Sequence, residues 1–209
     1  KPGNNTVYYL PEYPGTSRDD LKTGSAYANN FLDYHNLMRK KCSHSSKTMQ
    51  WNETLAKYAS DYAKLLVKKN NCDMSHTFKG HDSYKDMGAG ENLAEFKMRT
   101  VTLDEGSRGG INGWGKEGWK EDKTQDMTGH YTAMMWKNNV QLGCGMGINK
   151  EKKCAIVACN YGSTPYTNQG LEQDYEKQVL CTRPINIGVD DKPGNNTVYY
   201  LPEYPGTSR

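Results

Sequence analysis

Six cysteines, Cys42, Cys72, Cys144, Cys154, Cys159 and Cys181, constrain this chain of 209 residues more than any other feature. The count is even, and no CxxC pair marks a zinc or redox motif. N-x-S/T sequons stand at Asn4, Asn52 and Asn195, as candidate glycosylation sites. Even cysteines together with sequons point to an oxidising compartment. The chain is therefore expected to be secreted and extracellular, with its sulfurs paired. Six cysteines allow 15 pairings, and composition chooses none of them.

Other bulk properties exclude several classes. Aromatic residues make up 11% of the chain, too many for a disordered polymer. The longest apolar run, Cys154–Cys159, falls far short of the ~20 residues a membrane span needs, so no transmembrane segment is expected. Lys1–Arg18 lacks the apolar stretch of a signal peptide. The net charge is +3, and the basic clusters Arg39–Lys41, Lys68–Lys69 and Lys150–Lys153 are small. A nucleic-acid partner calls for a more concentrated basic face. Solvated surface is the plain reading of these clusters, with weak attraction to acidic glycans as the alternative.

The chain repeats itself once. Residues 1–18 read KPGNNTVYYLPEYPGTSR, and residues 192–209 read the same. Eighteen identities in a row suggest a 191-residue unit occurring in tandem, with an artificial duplication as the alternative. Each copy is rich in proline and glycine and reads as an extended linker. The expected organisation opens with a linker-like copy at 1–18 and closes with the second copy at 192–209.

Between the flanks, apolar spacing predicts helices over Gly24–Lys41 and Trp51–Lys69, with Asn52 as a cap for the second. Asp73–Gly90 reads as loop. Leu103–Asp122 reads as a glycine-interrupted helix that must lean on packing, since each interior glycine costs ~1 kcal/mol against alanine. Thr128–Asn138 reads as a short helix. Gln141–Ile148 and Lys153–Tyr161 read as a hairpin around Asn149–Lys152. An antiparallel sheet covered by helices, an α+β architecture, is the natural packing.

Five histidines occur, at 35, 44, 76, 81 and 130. His76 and His130 sit among small polar residues, and Glu91 and Glu117 lie between them in sequence. Two imidazoles and two carboxylates gathered in one cleft hold a divalent metal or move protons. Spacing alone does not bring these four together. His35 and Arg39 read as structural partners in the first helix, Trp136 as core, and His44 and His81 as exposed loop residues.

The segment Gly129-His130-Tyr131-Thr132-Ala133-Met134-Met135-Trp136 resembles the signature GHYTQxVW of the CAP superfamily. That family holds the cysteine-rich secretory proteins, antigen 5 venom allergens and group-one pathogenesis-related proteins. Four further blocks agree in order: His35-Asn36-Leu37-Met38-Arg39, Trp51-Asn52-Glu53-Thr54-Leu55-Ala56, Gly90-Glu91-Asn92-Leu93-Ala94 and Cys159-Asn160-Tyr161. The resemblance spans about Ala26 to Pro165 and implies a domain over 19–165 with a disulfide-tied extension over 166–191. It implies a three-layer α-β-α sandwich and a cleft lined by His76, Glu91, Glu117 and His130. Glu117 follows Trp114 by three, as the family's WxxE pattern has it, with Glu121 after Trp119 as a near competitor. The resemblance also implies bridges Cys72–Cys144 and Cys154–Cys159, which leaves Cys42 with Cys181. In the chain-entropy model that last loop is worth about 4–5 kcal/mol.

Members of such a family act by binding lipids or sterols, glycans or proteins, and these classes are the partners it implies here. The resemblance also implies metal binding through His76 and His130, optional rather than obligatory, with zinc as the ion best suited to neutral imidazoles. Binding should then weaken below about pH 6, where imidazoles protonate. A metal-dependent hydrolase using the same cleft is the alternative. Neither a G-x-S-x-G elbow nor an HExxH helix is present to support it.

Overall fold

The computed structural model describes residues 28–43, 46–69, 72–75, 90–97, 101–119, 129–162, 177–188 and 191. Both copies of the repeat lie outside the described residues, as do His44, His76, His81, Glu121, Asn4, Asn195 and Thr128, the first residue of the predicted short helix.

The first predicted helix begins as a π-helical turn, Ala28–Leu32, and continues as α1, Asp33–Cys42. Helix α2 runs Glu53–Lys69. It starts two residues later than the sequence suggests, because Gln50–Trp51 form a short strand, β1. Asn52 caps α2 as expected, its Oδ1 accepting from the Leu55 N–H at 3.1 Å. Helix α3 covers Leu103–Glu117 and is nucleated by a capping box between Thr102 and Glu105. It stops short of the predicted Asp122, at Gly118, whose φ of 61° breaks the helical run. Helix α4 is Gly129–Met135.

Four strands form one sheet in the order β1-β3-β4-β2. The predicted hairpin is β3, Gln141–Asn149, with β4, Cys154–Gly162. Strand β2, Gly90–Phe96, pairs antiparallel with the far side of β4, where no strand was predicted. The sheet is antiparallel except for β1, which pairs parallel with β3.

Alternation along the strands divides the molecule into three layers. Ile156 and Ala158 of β4 and Leu93 of β2 pack with Ala59, Tyr62, Ala63 and Leu66 of α2. Met146 of β3 and Ala155, Val157 and Tyr161 of β4 face the other way, among Met38, Ile111, Trp114 and Tyr131 of α1, α3 and α4. The architecture is the α+β, three-layer α-β-α sandwich.

Glycines set the spacing of both outer layers. On β3, Gly143, Gly145 and Gly147 alternate toward α2, and a Cβ on any of them would overlap Leu55–Ala56, Ser60 or Ala63. The α2 backbone therefore lies directly on the strand. In α3, a Cβ on Gly110 would press on Ala94 at 3.3 Å, and one on Gly115 would meet the Ile185 carbonyl at 2.7 Å. That close approach offsets the poor helix propensity of the segment.

The layers also correct two of the disulfides implied by the resemblance. Cys72 bonds Cys154 and Cys144 bonds Cys159, in place of Cys72–Cys144 and Cys154–Cys159. Cys154 and Cys159 are five residues apart on one extended strand, about 16 Å, and face opposite sides of the sheet. Cys144 stands directly across from Cys159 in the β3–β4 register, with Cα atoms 4.1 Å apart. Cys154 faces α2, beyond whose end Cys72 lies, with Cα atoms 6.3 Å apart. The third bridge, Cys42–Cys181, ties the end of α1 to the segment after β4.

That segment crosses α3 and α4. Leu180 N–H donates to Met135 O at 2.9 Å, Trp119 N–H to Thr182 O at 2.8 Å, and Ile185 N–H to Gly115 O at 2.9 Å. Asn112 pairs through its side-chain amide with both backbone groups of Ile187.

Candidate functional site

Glu117 is the last residue of α3, and His130 is the second of α4. The two side chains meet. His130 Nδ1–H donates to Glu117 Oε1 at 2.7 Å, and the Tyr131 N–H donates to Oε2 at 3.2 Å. A carboxylate only accepts, so Nδ1 carries a proton at this contact, and in the neutral ring Nε2 keeps its lone pair. The pair is partly open to solvent, with side-chain exposures of 33% for His130 and 24% for Glu117. The Trp114 ring lies beside the imidazole, centroids 6.1 Å apart, and is itself fixed by Nε1–H donating to Leu93 O at 3.0 Å.

A buried polar chain lies beneath. His35 Nδ1–H donates to Phe31 O at 2.7 Å, so its Nε2 accepts from the Tyr161 hydroxyl at 2.8 Å. Asn92 Nδ2–H donates to Tyr161 Oη at 3.0 Å and to the His130 carbonyl at 2.9 Å. Burial drives the His35 pKa down to about 4, so the ring is neutral at pH 7. Burial also pushes the Tyr161 phenol well above its ordinary range. The chain thus runs Asn92 to Tyr161 to His35 to Phe31 with each donor satisfied. His35 and Arg39 are structural. The Arg39 guanidinium is buried and donates to Met134 O and Trp136 O, both at 2.9 Å, closing the end of α4. Trp136, Met134 and Met135 are core.

Tyr131 connects the pair to the segment after β4. Its N–H holds Glu117, and its hydroxyl donates to Arg183 O at 2.7 Å.

The structure thus brings Glu117 and His130 together. Glu91 lies on edge strand β2, one residue before Asn92. Asn92 reaches toward His130, so alternation sends the Glu91 side chain to the opposite face, the side of α2. Its neighbour in the expected tetrad, His76, is outside the described residues, but Ser75 is anchored to α2 by the Tyr62 hydroxyl donating to its carbonyl at 2.5 Å. The residues that sequence reasoning missed are Asn92, Tyr131 and Tyr161. All three sit inside the family blocks, Asn92 beside Glu91, Tyr131 beside His130, and Tyr161 two residues after Cys159.

One other group of metal-type donors is close-set among the described residues: His35, Cys144 and Cys159, with ligand atoms within 4.8 Å of one another. The two sulfurs are bonded to each other and His35 is committed at both nitrogens, so this group offers no open ligand set. Asn52, the one sequon asparagine described, has its side chain engaged, Oδ1 as helix cap and Nδ2–H donating to Gln141 Oε1 at 2.9 Å.

Comparison with known proteins identifies the family. Pathogenesis-related protein 1 of Arabidopsis thaliana is 31% identical over 144 residues, covering 66% of this chain and 78% of that protein. Repressed by EFG1 protein 1 of Candida albicans is 27% identical over 139 residues, covering 65% of this chain but 45% of the relative. Among solved structures, NaASP2 with Zn2+ superposes with a TM-score of 0.56 at 19% identity, covering 83% of this chain and 90% of that one. At that identity the likeness speaks for the fold alone. Residues 32–161, more than half of the chain, match the family described as CAP, cysteine-rich secretory protein family. The chain therefore belongs to the CAP family.

Proposed function

We propose that this chain is a secreted binding module whose His76, Glu91, Glu117 and His130 form a cleft able to take a divalent ion, zinc above others. The observation that carries the reading is the Glu117–His130 pair. Histidines that ligate metals donate their other ring N–H to a carboxylate, which fixes the tautomer and raises the basicity of the free nitrogen. His130 is held in that way, with its Nδ1–H on Glu117 and Nε2 left to ligate. The donor chemistry therefore fits the ion at this half of the cleft. Neutral imidazole suits zinc, whereas magnesium prefers oxygen ligands alone.

In this reading the tetrad straddles edge strand β2. Glu117 and His130 stand on the α3–α4 side, while Glu91 and the segment leading to His76 belong to the α2 side. Two histidines leave coordination positions open, so the ion is an optional ligand rather than a structural one. Extracellular residence is supported by the three disulfides and by the kinship with pathogenesis-related proteins. Partners in the class of lipids or sterols, glycans or proteins belong to the same proposal. So do a CAP domain over 19–165 with an extension over 166–191, glycosylation at Asn4, Asn52 or Asn195, and a 191-residue tandem unit.

Calorimetric titration of zinc into the full chain tests the reading. Binding is expected at pH 7.5, weaker at pH 5.5 as protons compete for imidazole, and lost in His130→Ala. Glu117→Gln should weaken it about 10–100-fold. Equal zinc affinity in wild type and His130→Ala overturns the proposal.

A further inference from the structure

The three disulfides differ in what can reach them. Cys72, Cys144 and Cys159 are 0% exposed and Cys154 is 3% exposed, so two bridges are sealed in the core. Cys42 and Cys181 are each half-buried. Their surroundings are cationic. Lys41 precedes Cys42, and the guanidinium of Arg183, two residues beyond Cys181, donates to the Lys41 carbonyl at 2.7 Å. The acid in this group, Asp191, is held by the Lys41 ammonium. A half-open sulfur beside lysine and arginine favours thiol chemistry, because the cations draw in an attacking thiolate and stabilise the one that leaves.

The two sulfurs of the bridge are not equivalent. The Tyr131 hydroxyl lies 3.1 Å from Cys181 Sγ, and a bridged sulfur carries no proton, so the phenol is the donor at that contact. The same hydroxyl reaches the carbonyls of Cys181 and Arg183, at 3.0 and 2.7 Å. It has one proton to give. A thiolate at Cys181 would draw that hydrogen bond to itself, since an ionised acceptor makes the stronger bond, and the two carbonyls would lose it.

The bridge also ties down a clamp on the candidate site. Ile185 N–H donates to Gly115 O, and Thr182 O accepts from Trp119 N–H, so the segment grips the chain two residues to either side of Glu117. Leu180 N–H on Met135 O grips the end of α4, the helix that carries His130.

We propose that Cys42–Cys181 is a thiol–disulfide exchange site for a dithiol, and that opening it slackens this clamp. One thiolate of the dithiol attacks Cys42 Sγ. The bridge breaks, and its electron pair leaves on Cys181 Sγ, beside the Tyr131 hydroxyl. The second thiolate then attacks the reagent's own sulfur in the mixed disulfide and releases the Cys42 thiolate. The dithiol ends as a disulfide, the bridge has gained two electrons, and the two cysteines take up the two protons that the dithiol gives up.

Graded treatment of the native full chain with dithiothreitol, then alkylation and mass mapping, tests the site. Two alkyl groups, on Cys42 and Cys181, are expected at reductant levels that leave Cys72–Cys154 and Cys144–Cys159 closed. A pulse of the monothiol glutathione should leave the mixed disulfide on Cys42 and the alkyl group on Cys181. Amide exchange at Leu180 and Ile185 should quicken about a hundredfold in the opened chain, and equally in Cys42→Ser/Cys181→Ser, which needs no reductant. Opening of all three bridges together, or of a core bridge first, overturns the proposal, as does amide exchange unchanged in both opened forms. Zinc affinity should fall about tenfold with the bridge open. That last arm rests on the reading of the cleft given above: an intact chain that binds no zinc sinks that reading alone, while thiol mapping and amide exchange still decide this one.

Discussion

The two faces of the sheet are held in different ways. Against α2, the sheet offers glycine after glycine, and helix and strand backbones touch. Against α1, α3 and α4, it offers Tyr161 and Asn92, which join His35 in a buried hydrogen-bonded chain that reaches the backbone of His130. The first face works by shape, and along β3 it has no room for a side chain. The second works by satisfied polar groups, and it is the one that carries the Glu117–His130 pair. Shape alone suffices to dock a helix, whereas placing one imidazole in one tautomer takes a network.

The sharpest contrast is expected at Gly145. Its Cβ would fall on the Ser60 backbone, which has no flexible end to yield. Gly145→Ala should cost about 3 kcal/mol or more, lowering Tm by about 10 °C in a thermal melt. A loss under about 1 kcal/mol would show that α2 slides easily and that shape does not govern this face.

Acid should act on the other face. His35 has a folded pKa of about 4 against an ordinary 6.5, so the unfolded chain takes up the proton first. Stability is therefore complete above about pH 6.5 and falls as pH drops toward 4, by up to about 3 kcal/mol. Asp33 opposes this, because burial raises its pKa to about 6 from 3.8, and its protonation favours the fold over that range. Its carboxyl is only partly buried, so its share is the smaller. Urea melts from pH 7 to 4 should show the loss in wild type and not in His35→Asn. The same loss in both would remove His35 from the account.

Tyr161→Phe deletes one hydroxyl from the chain and leaves His35 Nε2 and one Asn92 contact without it. About 1–2 kcal/mol should be lost, and zinc binding should weaken slightly through the displaced His130 carbonyl. A neutral result would mean that the network is ornament to packing. Smallest of all, Gly113→Ala should stabilise by up to about 1 kcal/mol, since nothing lies within 4 Å of its Cβ in an exposed stretch of α3. Destabilisation there would break the view that the other α3 glycines, not this one, are held by contact.

Much of this was legible in the chain, for physical reasons that differ by element. The amphipathic stripe of α2 and the β3–β4 hairpin declare themselves locally. Glu117 was marked by its spacing from Trp114, and the structure sets it on His130. Strand β2 stayed hidden because Gly-Glu-Asn-Leu-Ala-Glu-Phe has no β-branched residue, and only pairing with β4 makes it a strand. Strand β1 has two residues and a parallel partner some 90 positions away, which no local pattern signals. The glycine alternation of β3 was in view, yet a glycine in a strand announces close approach only once its neighbour is known. The disulfides needed face information. The odd spacing of Cys154 and Cys159 within a predicted strand carried half of it, and the position of Cys72 on the α2 side came only with the fold.

The central claim is that Glu117 holds His130 in the tautomer that ligates through Nε2. Long-range nitrogen–proton NMR of the His130 ring, with and without zinc, measures this directly. The account predicts a proton on Nδ1 without the ion, with zinc moving the Nε2 resonance and Glu117→Gln weakening that response. A ring protonated at Nε2, with both nitrogens indifferent to zinc, would contradict it.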